Sequence, residues 1–326
     1  MIDIDAQLVQ TVVQGLLVGS IYALAALGLS MIFSVLGVLN LAHGDFIMLG
    51  GFAGLLVAGV FSINQYGILA IFAILLLAFV VIAALGAAYE FALIRPTLKR
   101  SPDAILISSI LISVGTAFII ENLGYIYMPA YIIGRGTFFS IPLTQNQFKI
   151  VIGSININGV YLIAVASIAI ATLLLYFFSK RTYLGKAMRA ITQNTESTKL
   201  MGVNLQRISI LTFAIGSGFG ALAGVSIGMT TTLSPGFGLL YTVSLLSVMV
   251  LGGTKSYWGP LVGGLIIGFV QVFAGAPFLN PLSIPFTNIQ IQGLAFWAPA
   301  VSIVILIVVL MIKPSGLAGK SASTKV

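Results

Sequence analysis

Cysteine is absent from this chain, and charged residues make up only 7% of its 326 residues. Without cysteine there can be no disulfide framework, thiolate zinc site or thiol nucleophile. A soluble domain carries about 25% charged residues, and a water-facing surface cannot be built from a chain that is 59% hydrophobic. The single histidine and seven acidic residues are scattered, so no cluster for a membrane-embedded active site is visible. The composition predicts an integral membrane protein.

Three uncharged stretches are far longer than the 20 or so residues that one helix needs to cross a bilayer. They are residues 46–89, 208–254 and 256–312. Lipid offers no partner to free backbone groups, so such stretches must form helices or barrel strands. Barrel strands would alternate polar and apolar residues over about 10 positions, whereas these stretches are apolar on every side. The sequence predicts an all-α fold, a polytopic membrane helix bundle in a single domain of residues 1–326.

Breaks in hydropathy divide the chain into eight or nine membrane spans. The segment 238–251 is short for a full crossing and leaves open a discontinuous or re-entrant element within residues 238–276. Asp3 and Asp5 stand where a secretory signal would carry basic residues, so we expect the first span to be retained. The predicted spans are residues 8–35, 41–60, 67–94, 104–129, 159–179, 208–230, 238–251, 259–276 and 291–312.

Positive charge is concentrated in alternate loops, and this predicts the orientation of the chain. Only two of the 15 Lys and Arg residues, Arg135 and Lys149, lie in one set of loops. By the positive-inside rule the richer side is cytoplasmic, which puts the C-terminus inside and, with nine spans, the N-terminus outside. Topology thus explains the net charge of +8 without a nucleic-acid partner. The basic regions are residues 95–103, 180–207, 252–258 and the tail after residue 312.

Two loops are long enough to carry structure of their own. The external loop 131–158 contains two short β-prone runs, 148–152 and 155–159, that we expect to pair as a hairpin. The inner loop 180–207 is expected to form two short helices. Leu184, Met188 and Ile191 share one helical face, Asn194 suits an N-cap, and Gly202 suits a C-terminal stop.

Several motifs resemble those of one transporter family. Residues 196–202 have the spacing of the EAA-x-x-x-G signature of ABC importer permeases, with Ser197 and Thr198 in place of the alanines. No Ile-x-Leu-Pro follows Gly202, so this signature departs from the wider ABC pattern. The sequence resembles the branched-chain amino acid permeases over nearly its full length. The stretches that carry the resemblance are Gly185–Asn204, Asn40–Gly50 and Leu251–Gly264.

The resemblance implies the membrane-spanning permease subunit of an ABC importer, located in the prokaryotic cytoplasmic membrane and working by alternating access. It implies a second related permease, two cytoplasmic ATP-binding subunits and an external solute-binding protein as partners. Loop 180–207 would then couple to the ATPases, and an ordinary basic loop attracted to anionic lipid is the alternative. The residues assigned to coupling are Gly185, Arg189, Ala190, Glu196 and Gly202.

Glycines recur at every fourth position between residues 216 and 228, on one stripe of a helix. Small residues on such a stripe let a neighbouring backbone approach closely. We therefore expect helix packing, although glycine also lowers the cost of bending and leaves a role in gating open. The four residues are Gly216, Gly220, Gly224 and Gly228.

Ionisable residues within membrane spans are candidates for function. Glu121, beside Asn122, is expected in the outer half of the fourth span, and Glu90 is expected to pair with Arg95 at the end of the third. The second span is expected to start with His43 and Asp45 at the cytoplasmic side, where Asp45 would favour the helix N-terminus. An architectural role competes with substrate contact for each of them. The candidates for the translocation pathway are Asn40, His43, Asp45, Glu121 and Asn122.

Other function classes fit the residues less well. An ion-coupled secondary transporter usually has carboxylates or histidines near the midplane, and this chain has few. Pro314–Ser321 and Gly216–Ala221 match a P-loop and a dinucleotide motif only in their letters, because neither lies between a strand and a helix. We therefore expect no nucleotide site, no cofactor, no metal and no enzymatic activity in this chain. Permeases for urea or short amides resemble the same family and remain an alternative for the substrate.

Overall fold

The structure is a computed structural model that describes residues 4–60, 67–128, 149–152, 155–253, 259–276, 282–283, 290–291, 298–313 and 316–317. Helices dominate it. The helices are α1 (Ile4–Leu36), α2 (His43–Val60), α3 (Gly67–Tyr89), α4 (Pro102–Met128), α5 (Gly159–Arg181), α6 (Tyr183–Gln193), α7 (Thr195–Leu200), α8 (Leu205–Thr230), α9 (Phe237–Gly252), α10 (Gly259–Ala274) and α11 (Ala298–Ile312). The strands are β1 (Lys149–Ile152), β2 (Ile155–Asn158), β3 (Leu282–Ser283) and β4 (Gln290–Ile291).

The helices confirm the predicted fold class, a polytopic all-α membrane bundle. Within the described residues, four helices are long and apolar enough to cross a membrane by length and composition. Four shorter apolar helices accompany them, and α5 meets α6 at a bend of 80°. The four long stretches are Gln7–Leu36, Ala70–Lys99, Pro102–Tyr127 and Leu205–Thr230. The shorter helices are His43–Gly59, Phe237–Gly252, Gly259–Ala274 and Ala300–Ile312.

The predicted hairpin is present between α4 and α5. Strands β1 and β2 pair antiparallel, with Lys149 opposite Asn158 and Ile152 opposite Ile155. Residues 131–148 of the predicted external loop lie outside the described residues, and so does most of the Pro314–Ser321 motif. The hairpin leads directly into α5, which starts at Gly159.

Helix α8 lies at the centre of the bundle, with α1, α2 and α3 packed around it. Gly28 of α1 meets Gly216, where a methyl group on either residue would overlap the backbone of the other helix. Gly224 lies against the Ile47 carbonyl of α2 in the same way. Gly220 faces His43, and Gly228 is buried. Gly216, Gly220 and Gly224 therefore face α1 and α2, and the lack of a side chain permits these approaches.

Helices α1 and α10 form the other closely packed pair, and they run antiparallel. Gly19 of α1 lies against Leu265, and Gly264 of α10 lies against Ala23. By contrast, α4 lies at the perimeter, with only 11% of its most apolar window buried. It contacts α2 and α9 over a few residues. The bundle thus has a glycine-packed core and a loosely attached fourth helix.

Helix α3 ends in an irregular segment that contains a buried acid. The helix continues as a π turn over Glu90–Ile94 and a 3₁₀ turn over Arg95–Lys99. Arg95 Nη2 lies 3.7 Å from Glu90 Oε2, and the hydroxyl of Ser209 in α8 donates to Glu90 Oε1. This geometry confirms the expected ion pair between Glu90 and Arg95. The Ser209 hydrogen bond joins this segment to the start of α8.

Candidate functional site

The segment between α1 and α2 folds into the bundle rather than leaving it. Gly37 adopts φ 67°, a left-handed conformation that reverses the chain after α1. Val38, Asn40 and Ala42 are then fully buried. The Ala42 amide donates to the Asn40 side-chain oxygen at 3.2 Å, which closes the turn before α2.

Because of this turn, α2 begins in the interior. His43 packs beside Gly220, which lies in the middle third of α8. Helix α2 then runs parallel to α8, since Gly51 lies against Gly224 further along. The sequence placed His43 and Asp45 at the cytoplasmic start of a span, whereas the start of α2 lies beside the middle of α8. The side of the membrane that they face stays a prediction. Hydropathy located the start of α2 correctly but could not show that the preceding turn is buried.

The N-terminus of α2 meets the N-terminus of α9 at this point. The Gly44 amide donates to Thr242 Oγ1 at 3.0 Å, and the Thr242 hydroxyl can donate to the Leu41 carbonyl at 3.0 Å. A methyl group on Gly44 would overlap the Gly238 carbonyl, and one on Gly238 would overlap the Asp45 carboxylate. Two helix N-termini therefore converge on one buried carboxylate, and the positive ends of their helix dipoles favour negative charge there.

Three of the predicted pathway residues come together here, and all are almost completely buried. Asn40, His43 and Asp45 have side-chain exposures of 0%, 0% and 1%. His43 Nε2 lies 3.1 Å from the Ala25 carbonyl, so Nε2 must carry the proton in that hydrogen bond. Asn40 Nδ2, His43 Nδ1 and Asp45 Oδ2 have no hydrogen-bond partner among the described residues. Such unsatisfied buried groups are costly and point to a role beyond packing.

The structure separates the other two predicted pathway residues. Glu121 of α4 faces α9: a methyl group on Gly236 would lie 3.1 Å from Glu121 Oε1 and 2.5 Å from the Tyr125 hydroxyl. Asn122 is exposed, and its Nδ2 donates to the Phe118 carbonyl of its own helix at 2.8 Å. Glu121 thus faces the start of α9, and Asn122 does not.

A second buried polar cluster, to which α9 contributes Tyr241 and Ser244, was not predicted. The Tyr22 ring stacks on Tyr241 with centroids 5.5 Å apart, and the Tyr22 hydroxyl interacts with Ser244 and Gln271. Gln271 Nε2 donates to the Ser302 hydroxyl at 2.8 Å. Sequence patterns could not assemble this cluster, because its members come from four different helices. Single polar residues within apolar helices were the available signal.

The inner loop forms two capped helices, as expected. Thr182 caps α6 by accepting from the Gly185 amide, and Asn194 caps α7 by accepting from the Ser197 amide at 2.9 Å. Gly202 follows α7 with φ 80°, and no atom lies near the position of a β-carbon. Leu184 is half-buried, while Met188 and Ile191 are buried against the bundle.

The residues assigned to coupling have different surroundings. Gly185 is buried where a β-carbon would overlap the end of α5. Arg189 is half-buried and lines a small pocket. The other three residues, Ala190, Glu196 and Gly202, are exposed. Leu200 and Met201, at the end of α7, are 89% and 85% exposed. Two large apolar side chains on a polar loop form a surface suited to a partner, and the sequence reasoning missed them.

Comparisons with known proteins agree with one another. Residues 11–312 match the family described as branched-chain amino acid transport system permease component. The chain is 29% identical to the high-affinity branched-chain amino acid transport system permease BraD of Pseudomonas aeruginosa, over 97% of each chain. It is 25% identical to LivH of Escherichia coli, again over 97% of each chain.

More distant similarities were also found. The branched-chain amino acid transport permease protein LivM of Methanocaldococcus jannaschii is 30% identical over 44% of this chain and 43% of its own. Among solved structures, a metal-chelate type ABC transporter in an inward-facing conformation is 18% identical, with a TM-score of 0.44. That comparison covers 92% of this chain and 85% of the other.

Proposed function

The chain belongs to the family of branched-chain amino acid transport system permease components, and we propose that it is the membrane-spanning subunit of an ABC importer for these amino acids. The full-length match to BraD and LivH is the observation that carries this proposal. Branched-chain side chains are apolar, so a passage for them needs few charged residues. The small number of charges in the bundle fits such a substrate.

We propose that the polar region at the start of α2 and α9, formed by Asn40, His43, Asp45 and Glu121, lies on the translocation pathway. An amino acid carries an ammonium and a carboxylate group, whatever its side chain. Asp45 and Glu121 can attract the ammonium, and the positive ends of the two helix dipoles can attract the carboxylate. The unpartnered Asn40 and His43 groups support this assignment, because a substrate could satisfy them.

We propose that loop 180–207 is the coupling loop. Helix α6 is fixed to the bundle by Met188 and Ile191, whereas α7 presents Leu200 and Met201 to the outside. A partner ATPase that binds this exposed end could move α6, and α6 contacts α1, α5 and α8. Closure of the ATPases would then change the arrangement of helices around the polar region. Ala190, Glu196 and Gly202 are accessible to such a partner.

The remaining partners and the orientation follow from the same proposal. A second, related permease completes the pathway, since LivH and LivM exist as separate proteins in one organism. Two ATP-binding subunits supply the energy, and an external binding protein delivers the substrate. The concentration of basic residues in loop 180–207 supports a cytoplasmic location for it and an external location for the β1–β2 hairpin.

Transport measurements on the assembled complex test the function. The chain is co-expressed with the permease, ATPase and binding-protein genes that neighbour it, and the complex is placed in proteoliposomes with ATP inside. We expect uphill uptake of labelled leucine, isoleucine and valine, and no uptake by this chain alone. Uptake of urea or acetamide in preference to leucine would assign the substrate to short amides. Uphill uptake by the chain alone would identify a secondary transporter.

Cysteine labelling tests the orientation, since the chain has no cysteine of its own. Gln193→Cys lies at the exposed end of α6, and Asn156→Cys lies in β2. In intact cells, an impermeant maleimide should label the hairpin cysteine and leave the α6 cysteine unmodified. Equal labelling of both would contradict the proposed topology and the coupling loop with it.

A further inference from the structure

A small basic pocket lies beside the cytoplasmic helices, outside the polar region described above. It is a cavity of about 110 Å³ between α1, α5, α6 and α10. A cavity needs about 10–15 Å³ of such volume to hold one water molecule, so this one could hold several waters or a phosphate group. Its lining consists of Leu27, Thr172, Leu175, Tyr176, Ser179, Lys180, Arg189 and Leu261.

The pocket carries two positive charges, and no acidic residue is among its described lining. The Lys180 ammonium is held in place by Tyr176: Nζ donates to the tyrosine hydroxyl at 2.6 Å and lies 4.5 Å from the ring centroid. Arg189 of α6 also lines the pocket. Two cations that line one pocket repel each other, so an anion bound in the pocket would be stabilised.

Two polar atoms in the lining are buried and lack a partner. Arg189 Nε and Thr172 Oγ1 have no hydrogen-bond partner among the described residues. Buried polar groups are rarely left unsatisfied. A ligand with several acceptor oxygens could accept from both, and from Ser179 as well, whereas an apolar ligand could not.

We propose that this pocket binds the headgroup of an anionic phospholipid of the cytoplasmic leaflet. The surrounding surface favours a lipid over a soluble anion, because α5 exposes Leu173 and Phe177 at 57% and 55% beside the pocket. Lys180 and Arg181 lie in the last turn of α5, where long basic side chains reach the membrane surface. Basic pockets between helices on this side of a membrane are suited to such headgroups.

The bound lipid would connect α5 to α6, because Lys180 and Arg189 belong to these two helices. The two helices meet at a bend of 80°, and α6 leads into α7 through Asn194. A phosphate between the two cations would fix that bend. The sequence assigned Arg189 to direct coupling with an ATPase. In this proposal Arg189 instead binds a lipid.

Lipid binding by the full chain tests the proposal. The purified protein is mixed with phosphatidylglycerol and phosphatidylcholine in equal amounts, and retained lipid is measured by native mass spectrometry. Each cation near an anionic surface contributes roughly 1 kcal/mol, or about a five-fold preference. We therefore expect phosphatidylglycerol to bind about 25-fold more tightly than phosphatidylcholine, and Lys180→Gln/Arg189→Gln to lose this preference.

The matched control is Lys186→Gln, on the same helix as Arg189 but exposed and outside the pocket. It should retain the preference. If the double variant does not fold, the single variant Lys180→Gln, at an exposed position, can be used instead. Its preference for phosphatidylglycerol should fall about five-fold. Equal retention of both lipids by the parent would overturn the proposal, and so would an equal loss in the control.

Two further arms separate the lipid from other anions. Inorganic phosphate at 10-fold excess should leave the bound phosphatidylglycerol in place, and its displacement would identify a site for free anions instead. The measurement is repeated on the chain co-purified with its ATPase subunits. Loss of the lipid there would show that an acidic group of the partner occupies the pocket, which would also overturn the proposal.

Discussion

In the bundle core, glycines are buried where two backbones meet, whereas the glycine that ends α7 is exposed and has open space around it. Gly224 touches the backbone of α2, and Gly28 touches that of Gly216. Gly202 has no neighbour near its missing β-carbon but adopts φ 80°. The core uses glycine for its size, and the cytoplasmic loop uses it for its conformation.

This difference separates stability from coupling. A methyl group on a core glycine must displace the backbone of a neighbouring helix. Because that helix moves as a unit, the substitution lowers the stability of the whole fold. A side chain at Gly202 displaces nothing and changes only the direction in which the chain leaves α7. Substitutions in the two regions should therefore fail in different assays.

The largest effect is expected for Gly224→Ala. The new β-carbon would overlap the Ile47 carbonyl, and α2 would have to move away from α8. Overpacking of this kind costs about 1–3 kcal/mol and sometimes more. We expect a large loss of monodisperse protein in size-exclusion chromatography and a lower melting temperature.

Gly115→Ala is the matched control, because this glycine of α4 is exposed and has no atom near its missing β-carbon. Alanine is favoured over glycine in a helix interior by roughly 0.5–1 kcal/mol, so abundance and melting temperature should not fall. Equal tolerance of both substitutions would show that α2 and α8 are not held at the observed separation.

Gly202→Val should leave the protein folded but uncouple it. A side chain in the left-handed region costs roughly 1–2 kcal/mol, and a β-branched side chain fits it badly. The Gly202 amide, which donates to the Lys199 carbonyl at 3.0 Å, would have to leave its position. We expect normal abundance with an at least roughly ten-fold loss of substrate-stimulated ATP hydrolysis.

Gly202→Asn provides the comparison, because asparagine tolerates positive φ better than other side chains do. It should retain most of the coupling. Gly202→Pro should be as damaging as valine, since proline cannot adopt positive φ and lacks the amide proton. Parental transport by the valine and proline variants would make Gly202 an ordinary loop residue.

The sequence was sufficient to predict those features that depend on local chemistry. Uncharged stretches located the helices, Asn194 and Gly202 marked the ends of α7, and the hairpin followed from its β-prone runs. The depth of His43 and Asp45 could not be predicted, because it depends on the burial of residues 37–42 against other helices. Hydropathy shows where a helix begins but not what surrounds its first turn.

Rotational orientation was the second feature beyond the sequence. Helix α4 is apolar on every side, so no periodicity indicates which of Glu121 and Asn122 faces the bundle. Only packing against Gly236 resolves them. The Thr242 contact with Gly44 likewise joins residues far apart in sequence, and neither residue carries a local signal for it.

Asp45→Asn, a substitution in the core, should reduce the rate of transport without changing the fold. Asparagine has nearly the shape of aspartate but no charge, so the contact with Gly238 can remain. A hydrogen bond to a charged group contributes about 1.5–3 kcal/mol, which predicts roughly a ten- to hundred-fold loss of uptake. Asp103→Asn, at an exposed position in the first turn of α4, should transport at the parental rate.

Uptake and melting temperature are measured together for these two variants. A lower melting temperature in Asp45→Asn would indicate that the carboxylate stabilises the helix N-termini rather than the substrate. Parental uptake would remove Asp45 from the pathway. Either result would make the polar region at the start of α9 a structural feature, like the glycine contacts around it.

The smallest effect is expected for Asn194→Ala, which removes the cap of α7. The side chain of Asn194 accepts from the Ser197 amide at 2.9 Å, and its loss costs about 1 kcal/mol. Helix α7 has only six residues and depends on its cap, because so short a helix is marginal alone. The Asn194 carbonyl still accepts from Thr198, so the loss should be partial.

We therefore expect a reduction of about two- to five-fold in substrate-stimulated ATP hydrolysis by Asn194→Ala, with normal abundance. Gln193→Ala, an exposed neighbour at the end of α6, should have no effect. Asn194→Asp should restore activity, since aspartate caps a helix as well as asparagine does. If aspartate fails where asparagine works, the amide group itself contacts the ATPase. In that case capping of α7 would not explain the loss, and position 194 would belong to the docking surface formed by Leu200 and Met201.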